Sequence, residues 1–272
     1  MSATAFDPAA AARAWRPPAL IGDARLRWAI YAGALLYAAL ALGSVEVNWT
    51  RAAEGLERGA RFLAGFFPPD FVSKREEILD GLLESLTMTV VATALGIVLS
   101  VPVALGAARN LAPLPVYLFC RGIIAVSRTF QEIIIAIVFV AMLGFGPLAG
   151  MLTLAFATIG FLGKLLAEDI EDMQAEQAEA IRATGAGWFQ LLAWAVLPQV
   201  RPRLIGLSAY RLDINFRESA VLGLVGAGGI GDTLNTAFDR YEFDTAAAVL
   251  IVIVAIVLAC EYTSGWIRRA VQ

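Results

Sequence analysis

The stretch Glu179-Ala180-Ile181-Arg182-Ala183-Thr184-Gly185, followed after nine residues by Ala195-Val196-Leu197-Pro198, decides how this chain is read. Ala, Glu and Gln favour a helix from Glu168 to Ala183 because they lose little side-chain freedom in one, and Gly185 can break it. Trp188 to Val196 then resumes as a short apolar helix, which Pro198 and Pro202, each lacking an N–H, are expected to stop. A helix, a break and a second short helix make a protruding knob. An ordinary amphipathic connector satisfies the same propensities.

On either side of this segment, roughly 168–203, the sequence turns strongly apolar. Of its 272 residues 59% are apolar and 17% charged, with a mean hydropathy of +0.70. The apolar residues fall in long runs between compact charged clusters, which calls for a lipid solvent rather than one soluble core. Trp28 to Val45 holds 18 uncharged residues, about 27 Å of helix and enough to cross a hydrocarbon core. The 27 residues before it are too many for an ordinary signal-peptide n-region, so it is read as a span. Further runs at Ser85 to Ala108, Glu132 to Gly146, Leu148 to Ala167, Leu204 to Val225 and Thr245 to Tyr262 bring the expectation to six transmembrane helices. Val116 to Ser127 carries Arg121 and Arg128 on one stripe and reads as a helix entering from the cytoplasmic interface rather than a seventh span.

The expected organisation is a cytoplasmic N-terminal segment, 1–27, then a first span with an outer amphipathic segment, 28–79, then an all-α transmembrane domain, 80–272. With the N-terminus inside, thirteen Lys and Arg fall on inner segments (Arg13, Arg16, Arg25, Arg27, Arg109, Arg121, Arg128, Lys164, Arg182, Arg201, Arg203, Arg268 and Arg269) against six on outer ones. That asymmetry sets both termini on the cytoplasmic side. The dissent comes from Asn48 to Asp80, where basic and acidic residues mix with Trp49, Phe66, Phe67, Pro68 and Pro69, as in a helix lying on the outer surface.

The chain has no histidine, which removes Ser/His and Cys/His nucleophile pairs and HExxH zinc chemistry. Cys120 and Cys260 have no metal or disulfide spacing and read as small hydrophobes. No basic field suggests nucleic acid, and Gly163-Lys164-Leu165 lacks the glycine spacing and Ser/Thr of a phosphate-binding loop. Gly223 to Gly231 contains a literal GxGxxG, but it ends an apolar run instead of opening a soluble βαβ unit, and reads as a turn whose glycines let backbones approach.

The most telling charges lie in Tyr210 to Ser219, inside an expected span. At 100° per residue Tyr210, Asp213 and Arg217 share one arc, and Arg211, Asn215 and Glu218 share another. Ionisable groups at membrane depth cost at least about 2.5 kcal/mol each, so such a helix turns them toward partners or a watery path. Asp213 and Arg217, four apart, can simply pair. Alternatively Arg217, with Tyr210, Asn215 and Ser219, lines a translocation path and offers a guanidinium to a passing oxyanion. Glu132, four residues after Arg128, reads as a helix pair, and Lys164 as a snorkelling side chain.

The order Glu-Ala-x, three residues, Gly, nine residues, x-x-Leu-Pro resembles the EAA loop of ABC importer permeases, with Glu179, Ala180, Gly185, Leu197 and Pro198 matching. Ile181 and Ala195 depart from the usual Ala and Ile but stay apolar. Asn215, Arg217 and Glu218 with the following glycines, and Ser127-Arg128-Thr129-Phe130-Gln131-Glu132, are similar to signatures of the phosphonate-type subgroup, although Gln131 replaces a common proline.

The resemblance covers about 80–272. It implies a type I, methionine-importer-like permease core in a bacterial cytoplasmic membrane that moves phosphonate or a related phosphorus oxyanion. It also implies two ATPase subunits carrying ATP and Mg2+ and docking on Glu179, Ala180, Ile181, Gly185, Leu197 and Pro198, a second permease subunit, and an extracytoplasmic binding protein. The chain itself would then hold no cofactor and catalyse no reaction. An integral membrane enzyme using buried Asp213 and Glu218 is the alternative from a different class.

Overall fold

The computed structural model describes residue 21, residues 23–44 and residues 49–271; most of the expected cytoplasmic segment 1–27 lies outside the described residues. Two compact units divide near residue 61. In the first, α1 (Ala24–Ser44) begins behind Asp23, whose carboxylate accepts the Arg25 N–H at 2.9 Å. Its 21 residues span about 32 Å. α2 (Trp49–Ala64), which crosses the boundary, is laced by exposed i,i+4 pairs, Arg58–Glu54 and Arg61–Glu57, both at 3.6 Å. The outer amphipathic helix expected over Asn48 to Asp80 is therefore shorter. It stops at Ala64, Pro68 and Pro69 lie in the connection that follows, and Arg75–Asp80 belong to the next helix.

The second unit begins at Phe62. It continues through α3 (Arg75–Ala107), α4 (Leu114–Thr129), α5 (Glu132–Leu143), α6 (Pro147–Glu171), α7 (Ala175–Ala183) and α8 (Trp188–Leu191). A π-helical turn (Leu192–Val196) leads into α9 (Leu197–Leu222), and a 3-10 turn (Gly223–Val225) precedes α10 (Ile230–Asp239) and α11 (Phe243–Val271).

Its centre is the α3–α6 seam. α3 buries Met88, Thr89, Ala92, Thr93, Gly96, Ser100 and Ala104 at helical spacing, a stripe of small residues that lets backbones approach where lipid offers no competing hydrophobic drive. A Cβ on Gly96 would collide with Thr158 of α6. Three buried hydroxyls bond within their own helices, Thr93 donating to the Thr89 carbonyl at 2.7 Å, Thr153 to Ala149 at 2.8 Å and Thr158 to Leu154 at 2.6 Å, whereas the Thr89 hydroxyl has no partner among the described residues.

By length and apolarity four helices can cross a membrane: α1, α3, α6 and α11 over Phe243–Trp266. α4 and α5, bent by 95° to each other, form a fifth only if taken together. α5, with 12 residues, covers just about 18 Å. α9 has the length, at 26 residues, but six charges between Arg201 and Glu218 remove it from a count based on apolarity.

Two local expectations are corrected. The helix drawn over Glu168 to Ala183 is two helices, because the chain turns at Asp172 to Gln174 between α6 and α7. Pro198 and Pro202 do not stop the second short helix, since the chain stays helical from Trp188 to Leu222. The π-helical turn, in which the Leu197 N–H reaches the Leu192 carbonyl, widens the helix just ahead of Pro198, and the Gln199 Nε2 donates to the Ala195 carbonyl at 2.9 Å.

Candidate functional site

The knob expected at 168–203 exists, and its tip and base are held differently. α7 ends where Thr184 caps it and Gly185 adopts a φ of +79°, with the Gly185 N–H on the Arg182 carbonyl at 3.0 Å. This left-handed position strains any side chain with a Cβ. Glu179, Ala180 and Gly185 are exposed, as are Leu197 and Pro198, while Ile181 is half-buried. The residue that seats α7 is Ala178, packed with Leu191 and Ala195 against Leu111, Met173 and Ile181. Sequence reading passed over it, although its place three residues before Ile181 put both on one helical face. Trp188 and Phe189 meet edge to face at 5.0 Å, and Phe189 and Trp194 are 80% and 73% exposed.

At the base, Arg121 of α4 makes a forked contact with Glu171 at 2.9 and 3.0 Å and donates from Nε to the Ala107 carbonyl at 2.9 Å. Glu171 also accepts the Arg109 N–H at 2.7 Å, and Asn110 donates to the Ile170 carbonyl at 2.8 Å. Arg203 pairs with Asp169 at 3.3 Å, and the Gln174 N–H reaches Gln199 at 3.1 Å. The root of the knob is thereby tied to α3, α4, α6 and α9 together.

A second polar group lies deeper, where α9 crosses α3 and α6. Asn215 is fully buried and donates to Thr93 at 2.8 Å and to Thr158 at 3.0 Å, stitching three helices. Ser219 is also fully buried, its hydroxyl on the Phe216 carbonyl at 2.7 Å. Arg217 is exposed and pairs with Asp213 at 3.3 Å, while Tyr210 sits at the surface with its ring 6.0 Å from Phe161. Of the four residues expected on a path, two are therefore interior and two lie on the exposed side of α9.

Among the described residues the buried cation is Arg211, with a side chain only 4% exposed. Its Nη2 meets Glu218 at 3.1 Å and stands 4.0 Å from Glu132, its Nε donates to Thr158 at 3.2 Å, and its guanidinium carbon lies 5.5 Å from the Phe161 ring centre. Burial of this charge is tolerable because its partners are carboxylates and a hydroxyl rather than lipid. Sequence reading missed it. The seven-residue spacing of Arg211 and Glu218, which returns to the same helical face, was the available signal. Glu132 was expected to pair with Arg128, but the chain breaks at Phe130 and Gln131 between α4 and α5, so no helix connects them and Glu132 faces Arg211.

That break opens a cavity of about 390 Å3 onto Arg128, Thr129, Gln131, Glu132, Phe161 and Arg211. Beyond α9 the glycine turn belongs to helix packing and not to a βαβ unit. Gly226, Gly228 and Gly229 all have positive φ, the Ile230 N–H donates to Ser85 at 2.8 Å, and a Cβ on Gly231 would strike the Ala220 carbonyl.

Residues 79–272 match the family described as binding-protein-dependent transport system inner membrane component. Over 202 residues the chain is 46% identical to the phosphate-import permease protein PhnE of Mycolicibacterium smegmatis, covering 74% of this chain but 38% of that protein. It is 40% identical over 242 residues to the phosphite transport system permease protein PtxC of Stutzerimonas stutzeri, covering 89% of this chain and 87% of that one. Among solved structures, the inward-facing MetNI methionine ABC transporter shares the fold at a TM-score of 0.64 and 25% identity, covering 74% of this chain and all of that one.

Proposed function

The chain belongs to the family of inner-membrane components of binding-protein-dependent transport systems, and from that premise we propose that it is the permease subunit of an ATP-driven importer of phosphorus oxyanions. The observation that carries the substrate class is its similarity to two permeases whose names specify phosphate and phosphite. The two differ in cargo but share tetrahedral phosphorus oxygens that a guanidinium recognises. As a permease component the chain is not itself the ATPase, and family membership displaces the alternative of a membrane enzyme working through Asp213 and Glu218.

In this reading the knob is the coupling element. An ATPase subunit holding ATP and Mg2+ docks on Glu179, Ala180 and Gly185, with Leu197 and Pro198 at the edge of the contact and Ile181 holding α7 in place from below. Phe189, Trp194 and Trp188 add apolar surface to that contact, which fits their exposure. Two ATPase subunits, a second copy of this chain and an extracytoplasmic binding protein complete the assembly. α9 serves as the sixth span despite its charges, because they face neighbouring helices and a path rather than lipid. Both termini lie on the cytoplasmic side of the bacterial inner membrane, the side favoured by the Lys and Arg distribution. The path runs beside α9: Tyr210 and Arg217 border it from the exposed side, while Asn215 and Ser219 hold the helix in register. Closure of the ATPase dimer moves the knob, and the anchored root carries that movement to the helices as a rigid-body switch.

The test is reconstitution of the chain with its ATPase and binding protein in proteoliposomes, followed by ATP-dependent uptake of phosphate, phosphite and methylphosphonate. Uptake of at least one is expected. An assembled complex with active ATPase that carries none of them refutes the substrate class.

A further inference from the structure

We infer that the cavity at the α4–α5 bend is an anion-binding station of the transport path, in which Arg211 exchanges a resident carboxylate, Glu132, for a tetrahedral oxyanion that Arg128 grips from the other side. This rests on the oxyanion-importer reading and assigns its site.

Three independent features converge on the cavity. Arg211 is nearly sealed from solvent, yet its guanidinium is incompletely used: Nε and Nη2 have partners, whereas Nη1 makes no hydrogen bond among the described residues. Guanidinium carries five N–H donors in a planar fork suited to paired oxygens. Arg128, in the last turn of α4, lines the same cavity, is exposed, and has no ion-pair partner among the described residues. The third feature is the start of α5, where Gln131 caps the helix without a side-chain hydrogen bond and the Glu132 and Ile133 N–H groups have no hydrogen-bond partner among the described residues.

Glu132 shows what the station accepts. Its carboxylate occupies the first turn of α5 and stands 4.0 Å from Arg211, close enough to neutralise the cation but beyond hydrogen-bonding distance. It is a negative group held loosely where an anion would bind. Glu218, at 3.1 Å, is the firm partner that keeps Arg211 charged while Glu132 moves aside. The empty station sets two glutamates against two arginines. An arriving phosphate or phosphite displaces Glu132, bridges Nη1 of Arg211 and the guanidinium of Arg128, and leaves when Glu132 returns. The glutamate thus sets release as much as entry, which a transporter needs and a tight binding site does not.

The test uses the complete complex in proteoliposomes with labelled phosphate and phosphite, and in parallel equilibrium binding of the same two anions to the permease–ATPase complex without binding protein. Arg128→Gln is expected to lower uptake roughly tenfold or more, the loss of one charge-assisted contact, with complex assembly intact and partial recovery in Arg128→Lys. Glu132→Gln is expected to bind the anions several-fold more tightly and yet to transport them more slowly, a split that simple misfolding does not produce. Wild-type uptake with both variants unchanged overturns the station and leaves the importer reading standing. Weaker binding in Glu132→Gln overturns the exchange. A wild-type complex that carries neither anion nor methylphosphonate overturns the oxyanion reading and the station with it.

Discussion

Replacing Gly96 with alanine tests how the α3–α6 seam supports the buried cation. The added Cβ would overlap the Cγ2 and Cβ of Thr158, so either the helices part or Thr158 turns away. Overpacking of this kind costs about 1–3 kcal/mol. Thr158 is also the acceptor for Asn215 at 3.0 Å and for the Arg211 Nε at 3.2 Å. Loosening a neutral bond adds about 1 kcal/mol, and loosening a charged one somewhat more. The two losses overlap because one rotation of Thr158 causes both, which places the total at roughly 2–4 kcal/mol. That corresponds to a fall in Tm on the order of 5–15 °C for a domain of this size.

Thermal unfolding in detergent, followed by tryptophan fluorescence, reads the change. Gly122→Ala in α4 is the control, since a Cβ there meets nothing within 4 Å and better helix propensity should leave Tm unchanged or raised. Thr158→Ser, which removes Cγ2 but keeps the hydroxyl, should recover part of the loss in the Gly96→Ala background. If Gly96→Ala melts with the control, or Thr158→Ser recovers nothing, the seam does not depend on the close approach described.

Other perturbations probe the remaining elements. Gly185→Val forces a β-branched residue to a φ of +79°, at a cost of about 1–2 kcal/mol confined to the knob. Insertion should hold and Tm fall by at most about 2–8 °C while substrate-stimulated ATPase activity of the reconstituted complex collapses, and unchanged coupling would make the knob a mere connector. Ser85→Ala removes the acceptor of the buried Ile230 N–H and should lower stability by about 1–3 kcal/mol, measured by the shift in Tm. In a double-mutant cycle on Arg121 and Glu171, both about three-quarters buried, a coupling energy near 1 kcal/mol is expected. A value indistinguishable from zero would detach the root of the knob from α4.

The legible parts of this molecule were those carried by local pattern. Long apolar runs located α1, α3, α6 and α11, because transfer to lipid sums over neighbouring residues regardless of what they later touch. Helix formers before Gly185 and a short apolar run after it located the knob, since a left-handed glycine ends a helix wherever it sits. The prolines misled: Pro198 and Pro202 look like stops, but a π-helical turn ahead of them lets α9 continue. The bend between Thr129 and Glu132 was equally invisible, so Glu132 was assigned to Arg128 along a helix that does not exist.

The sequence by itself determined a lipid-solvated helical protein, a knob between two of its helices and a run of α9 charges that cannot face lipid. Only the tertiary structure decided which of those charges lies inside. Arg217 drew attention at helical spacing from Asp213, and its side chain is exposed while the carboxylate it pairs with is buried. Arg211 is the interior cation because α5, bent away from α4, brings Glu132 to it while α6 supplies Thr158 and Phe161. Helical periodicity fixes which residues share a face. Which face is buried, and against what charge, depends on where the neighbouring helices stand.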